Sequence, residues 1–293
     1  MIDFFSNMFG YVLNFIYDFV NNYGIAIILF SILIKIIMLP LSIKQQKTLK
    51  KNEKLQEQIK IIQIKHKGNQ ERINQEMIEL YRKEKMNPFS GCFSIIIQMI
   101  LLFAMFYLVR SPLTYMKKVD NQVIENQKNE MIQELGDNAV SETYPEMSII
   151  NYVKEKNMKD SELYINMDFL GLDLNKVPQE NFNDVKVFII PALYVISSFI
   201  SIKISTSTGK KKNKFKELTD GKEKEKEEEL DSLEMAQQMN KNMSWLMPIL
   251  AVSVSLLAPL GLALYWLINN IMMIFERLIL NIIFSKEEEK ENV

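Results

Sequence analysis

Apolar residues are gathered into five stretches of the chain, and this grouping constrains the fold more than any other sequence feature. The stretches cover residues 23–43, 91–110, 187–204, 244–260 and 261–283. Each approaches the length of about 20 residues that an α-helix needs to cross a bilayer core. Pro259 and Gly261 alone break the sequence between the last two, which predicts a tight helical hairpin. We therefore expect an all-α polytopic membrane protein.

The distribution of charge predicts how the spans are oriented. Residues 44–85 hold twelve Lys or Arg and six acidic residues, whereas residues 112–186 hold eight and fourteen. Positively charged segments stay in the cytoplasm. We therefore expect 44–85 inside and 112–186 outside, which places the N-terminus outside and the C-terminus in the cytoplasm.

The first residues lack the features of a cleaved signal, since Asp3 and Asp18 are acidic and no small-residue cleavage site follows. Apolar residues recur there at helical spacing opposite a polar face of Asn7, Asn14, Asp18 and Asn21. The apolar positions are Phe5, Met8, Phe9, Val12, Ile16 and Val20. This pattern predicts an interfacial amphipathic helix over 1–22, with an additional span as the alternative.

The segment 44–88 is typical of a cytoplasmic helical hairpin. Apolar stripes at Leu55, Ile59 and Ile62 and at Ile73, Met77, Leu80 and Tyr81 flank a turn at Lys67-Gly68-Asn69. The hairpin lysines Lys47, Lys50, Lys51 and Lys54 have two interpretations. They either enforce topology alone or form a docking surface for anionic lipid headgroups, a ribosome or a nascent chain.

These patterns divide the whole chain into segments. They are the interfacial helix 1–22, the first span 23–43, the hairpin 44–88, the second span 89–111, an external loop 112–186 that forms a small cap, the third span 187–204, a charged cytoplasmic loop 205–243, the fourth and fifth spans 244–284 and an acidic cytoplasmic tail 285–293.

A cation lies within the first span. Lys35 is flanked by apolar residues on both sides, and a charge at that depth costs at least roughly 2.5 to 3.5 kcal/mol. Such side chains usually face a bundle interior or a watery cavity. Lys35 is also about 9 Å from the span end at Leu41, so its side chain could instead reach the headgroups. The residue alone leaves both interpretations open.

Other polar residues interrupt the second and fifth spans. Gln98 needs a hydrogen-bond partner in hydrocarbon, which either another helix or a cavity could provide. The fifth span is the most polar, with Tyr265, Trp266, Asn269, Asn270, Glu276 and Arg277. Glu276 and Arg277 point in different directions on a helix, and both lie close enough to the inner end to reach the headgroups.

Several chemistries find no support in the sequence. The chain has one cysteine, Cys92, and one histidine, His66, so we expect no metal site. It has no phosphate-binding loop motif, no histidine within a span and no pair of aspartates within a span. We also see no internal repeat of the kind common in transporters. We expect a non-enzyme without a cofactor.

Several separated motifs together resemble the YidC/Oxa/Albino membrane insertases, in their short, Gram-positive-like bacterial form. The similar runs are NYGIAIILFSILIKIIMLPLSIKQQ at 22–46, NPFSGCF at 87–93, FLGLDL at 169–174 and PLGLALYW at 259–266. Their order and spacing agree with the family across about 22–200 and 243–284.

The resemblance implies a five-helix insertase core with a hydrophilic groove that is open to cytosol and lipid. Lys35 stands where most members carry arginine, and Gln98 and Trp266 match other groove positions. Tyr265 and Asn269 adjoin them. The implied function is insertion and folding of nascent membrane proteins in the bacterial cytoplasmic membrane, without nucleotide hydrolysis. Clients with acidic tails should benefit most from Lys35.

The implied partners are nascent membrane proteins, the ribosome, membrane lipids and the Sec translocon, with no recognition of nucleic-acid sequence. The acidic Glu287–Glu289 depart from the basic tails with which some members contact the ribosome. Two alternatives remain: an assembly chaperone that acts only with the Sec translocon, and a channel or transporter.

Overall fold

The computed structural model describes residues 2–66, 68–84, 90–208, 253 and 255–291. Within these residues, long helices surround a compact segment of short elements. The helices are α1 (Ile2–Val20), α2 (Tyr23–Lys65), α3 (Gln70–Lys83), α4 (Ser90–Arg110), α5 (Asn121–Leu135), α6 (Pro145–Glu155), α7 (Ile189–Thr208) and α8 (Leu260–Glu291). The one described sheet pairs β1 (Asp168–Phe169) with β2 (Leu172–Asp173) in antiparallel register.

Three described helical segments are long and apolar enough to cross a membrane. They are Tyr23–Thr48 in α2, Val185–Ile204 leading into α7, and Leu260–Ile283 in α8. Met99–Arg110 in α4 is a shorter apolar segment. The predicted span 244–260 and loop 205–243 lie almost entirely outside the described residues. The prediction of an all-α polytopic membrane protein is confirmed.

The first predicted span and the first half of the predicted hairpin form one continuous helix. α2 begins at Tyr23, where the Asn22 side chain accepts the N–H of Ile25 at 3.0 Å, and it continues to Lys65. Pro40 lies inside it without ending it. The boundary expected near residue 43 is therefore not a helix end. α8 likewise continues beyond its predicted span to Glu291.

α1 packs against the other helices through a face of small and apolar residues. Ser6, Phe9, Gly10, Leu13 and Tyr17 are buried, and the Ser6 hydroxyl donates to the Ala104 carbonyl of α4 at 3.1 Å. A Cβ atom at Gly10 would lie 1.8 Å from the Tyr115 carbonyl oxygen, so only glycine permits this close approach. 

The buried face of α1 is rotated relative to the predicted apolar stripe. Met8 is exposed, and so are Phe4, Tyr11, Phe15 and Phe19. α1 thus presents a second apolar face outward, and its location in the membrane interface remains a prediction.

Residues 112–186 fold into a compact unit, here called the cap. Its buried residues join the main hydrophobic core of the bundle; among them are Met131, Met147, Ile150, Ile165 and Leu174. Glu146 of α6 is also buried. Its carboxylate accepts the backbone N–H groups of Leu113 at 2.7 Å and Thr114 at 3.2 Å, and the Thr114 hydroxyl at 2.6 Å.

The cap also holds the first turns of two long helices. The N–H of Tyr23, which begins α2, donates to the Asn166 carbonyl at 2.9 Å. The N–H groups of Leu260 and Gly261, which begin α8, donate at 3.0 Å to the carbonyls of Lys176 and Leu174. The first N–H groups of a helix have no partner within it, so the cap satisfies these donors and fixes where α2 and α8 begin.

The predicted hairpin is present. Leu55 and Ile59 of α2 form a small buried cluster with Leu80 of α3, and Ile62, Met77 and Tyr81 pack against it. The turn before α3 includes Gly68 at φ 80°, a conformation that glycine adopts without strain. Both apolar stripes of the sequence therefore meet as expected.

Candidate functional site

The helices enclose a cavity of about 640 Å³. Its lining residues are Ile34, Lys35, Met38, Leu41, Ser42 and Gln45 of α2; Ile97, Leu101, Leu102, Phe103 and Phe106 of α4; Tyr194 of α7; and Tyr265, Trp266, Asn269, Asn270 and Met273 of α8. Leu102 and Phe103 are exposed. The cavity therefore reaches the apolar outer surface of the bundle along α4.

Toward the cap, the bundle closes above the cavity. Phe30 lies one turn before Ile34 on α2 and is fully buried. Leu264 of α8 and Leu108 of α4 are also buried toward that end. These residues belong to the main hydrophobic core. Among the described residues, buried core side chains therefore lie between the cavity and the cap, and the part lined by Ser42 and Gln45 lies toward the α2–α3 hairpin.

Four of the five residues predicted to line a groove surround this cavity. Lys35, Tyr265, Trp266 and Asn269 all contribute to its wall. Gln98 belongs to α4, but its side chain lies outside the described part of the structure. The structure thus brings together polar residues that are far apart in sequence, while their contact with a substrate remains a prediction.

Lys35 pairs with a carboxylate from the opposite helix. Its Nζ lies 2.5 Å from Oε2 of Glu276 on α8, and the two side chains are 20% and 8% exposed. A buried charge without a counter-ion is strongly destabilising, and this pairing offsets part of that cost for both groups. Lys35 therefore faces the cavity and Glu276, and the alternative in which it reaches the headgroups does not describe this structure.

Glu276 was not among the predicted groove residues. Its position in the sequence allowed it to reach the headgroups, but the structure directs it into the bundle. The second oxygen, Oε1, is buried and has no hydrogen-bond partner among the described residues. The pair could have been predicted from the sequence, because one span contains a cation and another contains an acid. Ionisable residues within membranes commonly pair with each other.

A second polar cluster lies between α7 and α8. The Asn270 side-chain amide donates to the hydroxyls of Ser197 at 2.9 Å and Ser198 at 3.1 Å. Ser201, one turn further along α7, is also buried. Asn270 was identified as a polar residue from the sequence, but its serine partners were not. Three serines on one apolar helix are a usable signal, because small and hydroxylated residues favour close helix contact in membranes.

Two aromatic residues form the wall near this cluster. The Tyr194 and Trp266 rings lie 6.3 Å apart between α7 and α8. The indole Nε1 of Trp266 is buried without a partner among the described residues. Asn269 is satisfied locally, since its amide donates to the Tyr265 carbonyl of the same helix at 2.9 Å. Trp266 therefore lines the cavity, while its indole donor is buried and unpaired among the described residues.

The predicted docking lysines lie along the half of α2 that leads to α3. Lys47 and Lys51 are exposed, whereas the side chains of Lys50 and Lys54 lie outside the described part. At the hairpin turn, Glu76 of α3 pairs with Lys65 at 3.2 Å and with His66 Nε2 at 2.5 Å. The docking role of the lysines remains a prediction.

Over the residues that the structure describes, no group of acidic, histidine or cysteine side chains could hold a metal ion.

Comparison with known proteins identifies the family. The model of the family described as 60Kd inner membrane protein matches residues 15–288, which is nearly the whole chain. The chain belongs to this family. The resemblance to the YidC/Oxa/Albino insertases is therefore confirmed, and the chain is a multi-pass inner membrane protein.

Individual relatives carry the name membrane protein insertase YidC. The Fusobacterium nucleatum protein is 43% identical over 102 residues, which is 35% of this chain and 50% of that protein. The Chloroherpeton thalassium protein is also 43% identical over 102 residues, covering 35% of this chain and 17% of its own length. The Francisella tularensis subsp. novicida protein is 38% identical over 109 residues, or 37% of this chain and 20% of its own length. The matched part of the chain thus spans half or less of these relatives.

Proposed function

We propose that this member of the 60Kd inner membrane protein family inserts nascent membrane proteins into the bilayer and helps them fold. The observation that carries the proposal is the cavity that is lined by Lys35, the partner of Glu276, and also reaches the apolar surface at Leu102 and Phe103. A site with both properties can hold a polar client tail while the apolar part of the client remains against lipid.

The cavity residues supply polar partners for that tail. Lys35 and Asn269 replace some of the hydration that the tail loses. The resemblance to the insertase family assigns Gln98 to the same groove. The cap closes the opposite end, so the tail enters from the side of the hairpin, which is cytoplasmic with the N-terminus of the chain outside.

Insertion needs no nucleotide hydrolysis in this mechanism, because partitioning of the client's apolar helix provides the driving force. Each Leu, Ile, Phe or Val at a span centre contributes about −0.3 to −0.6 kcal/mol, or roughly −6 to −12 kcal/mol for 20 such residues. One or two charges at about 3 kcal/mol each can be moved on that basis, but a long charged domain cannot. Short-tailed clients are therefore expected.

Partners follow from the same mechanism. A ribosome delivers the nascent client, and the hairpin lysines Lys47, Lys50, Lys51 and Lys54 provide a cationic surface for the ribosome or for anionic lipid. The Sec translocon is a further partner for clients with larger translocated domains.

The test is co-translational insertion of a short-tailed, single-span client into liposomes that contain only the purified protein. Protease protection of the client tail, absent from empty liposomes, is the expected result. No protection, while a YidC relative succeeds in parallel, would contradict autonomous insertion and favour an assembly factor that needs the Sec translocon. Solute flux through the same liposomes would instead favour a channel.

A further inference from the structure

We propose that the Lys35–Glu276 pair makes the cavity selective for client tails that carry both an acidic and a basic side chain, and that Glu276 determines this preference. The inference rests on the proposed insertion function, since it names the chemistry of the client that the same cavity accepts. It replaces the expectation that purely acidic tails benefit most from Lys35.

The geometry makes Glu276 part of the cavity's charge balance. Lys35 lines the cavity, and Glu276 holds its ammonium at 2.5 Å. Glu276 follows Met273, a lining residue, by three positions on α8, and residues three apart share one face of a helix. Among the described lining residues, Lys35 alone carries a charge. With Glu276 beside it, the site is neutral overall.

Arg277 is a second cation on the same helix. It follows Glu276 directly in sequence, so it lies about 100° further around the helix axis, and its charge interacts with that of Glu276. Neither Glu276 nor Arg277 is among the described lining residues of the cavity. A charged client therefore meets Glu276 through its ion pair with Lys35.

A client tail whose charges all have one sign must break the Lys35–Glu276 pair, which is energetically unfavourable. An acidic tail that binds Lys35 must displace Glu276, which is 8% exposed, and would leave its carboxylate without its ion-pair partner. A basic tail that binds Glu276 would leave Lys35 in the same situation. An uncompensated buried charge is strongly unfavourable.

A tail with both charges avoids this cost by exchange. Its carboxylate replaces Glu276 at Lys35, and its ammonium or guanidinium replaces Lys35 at Glu276, so all four charges remain paired. The free Oε1 of Glu276 is already buried without a partner among the described residues. A client cation would satisfy this oxygen as well as the one that Lys35 leaves.

The experiment compares four single-span clients that differ only in a short tail: neutral, acidic, basic, or with one acid and one base. Liposomes of uncharged phosphatidylcholine hold the full chain, either unchanged or as Lys35→Gln, Glu276→Gln or the double variant. Empty liposomes give the background for each client. The readout is protease protection, expressed as the ratio between clients within one preparation, so a general loss of stability cancels.

The unchanged protein should insert the mixed tail at least about fivefold better than the acidic or basic tail, the factor that corresponds to about 1 kcal/mol. Glu276→Gln should favour the acidic over the basic tail, and Lys35→Gln should show the reverse. The double variant should not distinguish acidic from basic tails. A charge exchange, Lys35→Glu with Glu276→Lys, should restore the original order.

The contradicting results are distinct. If the unchanged protein inserts clients but both single variants retain its order of preference, Glu276 does not determine specificity and the inference is wrong while the insertion function stands. A proportional decrease for all four clients would assign the pair a structural role alone. If no client is inserted by the unchanged protein, the proposed function itself fails and the inference fails with it.

Discussion

The side-chain amide of Asn270 on α8 lies 2.9 Å from the hydroxyl oxygen of Ser197 on α7 and donates a hydrogen bond to it. The same amide donates to Ser198. These bonds join the two helices with the most extensive contact in the described bundle, beside the cavity wall. Asn270 thus contributes both to the wall and to the cohesion of the helices that form it.

Replacing Asn270 by alanine should therefore weaken the α7–α8 contact. Interhelical hydrogen bonds in membranes contribute about 0.6 kcal/mol on average and up to about 1.7 kcal/mol, and two are lost here. The free energy of unfolding in bilayers should decrease by about 1 kcal/mol. Asn269→Ala is the matched control, because Asn269 bonds only within its own helix. An equal loss in both variants would show that the serine contacts contribute nothing.

Breaking the Lys35–Glu276 pair on one side should destabilise the protein more than removing both charges. Lys35→Gln or Glu276→Gln should each cost on the order of 2 to 3 kcal/mol, below the range for fully buried pairs since Lys35 retains some exposure. The double variant should recover most of that loss. A double-mutant cycle on the free energy of unfolding measures the coupling, and additive single effects would contradict it.

Glu146 should make the stability of the cap depend on pH. Burial raises the pKa of Glu146 above its ordinary value, although hydrogen bonds from Thr114 and Leu113 oppose the shift. The folded state therefore binds this proton more tightly than the unfolded chain does. The resulting stability is fully present below the unfolded pKa and is lost as the pH rises through the folded pKa.

Glu146→Gln tests this sign, because an amide can retain the bonds to Leu113 and Thr114 while the Thr114 hydroxyl reverses its direction. The stability of the unchanged protein relative to this variant should decrease as the pH rises above the ordinary carboxyl pKa of 4.5. Glu146→Ala should lower stability by about 1 to 3 kcal/mol at either pH, since it leaves the buried N–H groups unpaired. A stability of the unchanged protein that increases relative to Glu146→Gln as the pH rises would refute the sign.

The α2–α3 hairpin should separate when its small core is reduced. Leu80→Ala removes one of three buried residues in a cluster that has few others to compensate, at a cost of about 2 kcal/mol or more. Ile78→Ala is the matched control on the same helix, since Ile78 is 52% exposed. Hydrogen exchange of α3 amides should accelerate in the first variant and stay unchanged in the second. Equal exchange in both would show that the cluster does not hold α3.

Local patterns were sufficient to predict much of this fold. The stripes of Leu55, Ile59 and Leu80 indicated a hairpin because helical periodicity is set by the backbone alone. The apolar lengths of α2 and α8 indicated spans for the same reason. The continuity of α2 through residue 43 was missed, since a change from apolar to charged composition marks the membrane boundary and not a helix end.

The site was only partly predictable from the sequence. Lys35 stood out because an intramembrane cation demands an explanation, but its partner depends on the rotation of α8 about its axis. That rotation is set by long-range contacts, such as the Leu260 and Gly261 N–H groups on the cap carbonyls and the Asn270 bonds to α7. No spacing within α8 reveals it. The sequence therefore shows that Glu276 is polar, but it does not show that Glu276 is the counter-ion of Lys35.

α2 is one continuous helix, so a movement at one of its ends also moves residues along its length. Its upper end is fixed where Tyr23 donates to the cap, and its far end carries the contact with α3. Lys35 lies about 18 Å along this rod from Tyr23. If α2 tilted by about 10° around its fixed end, Lys35 would move sideways by about 3 Å, given its distance along the helix. That displacement is enough to separate Lys35 from Glu276. Pro40 lies between Lys35 and the hairpin, so a load applied at the hairpin reaches the ion pair only to the extent that the helix does not bend at this proline.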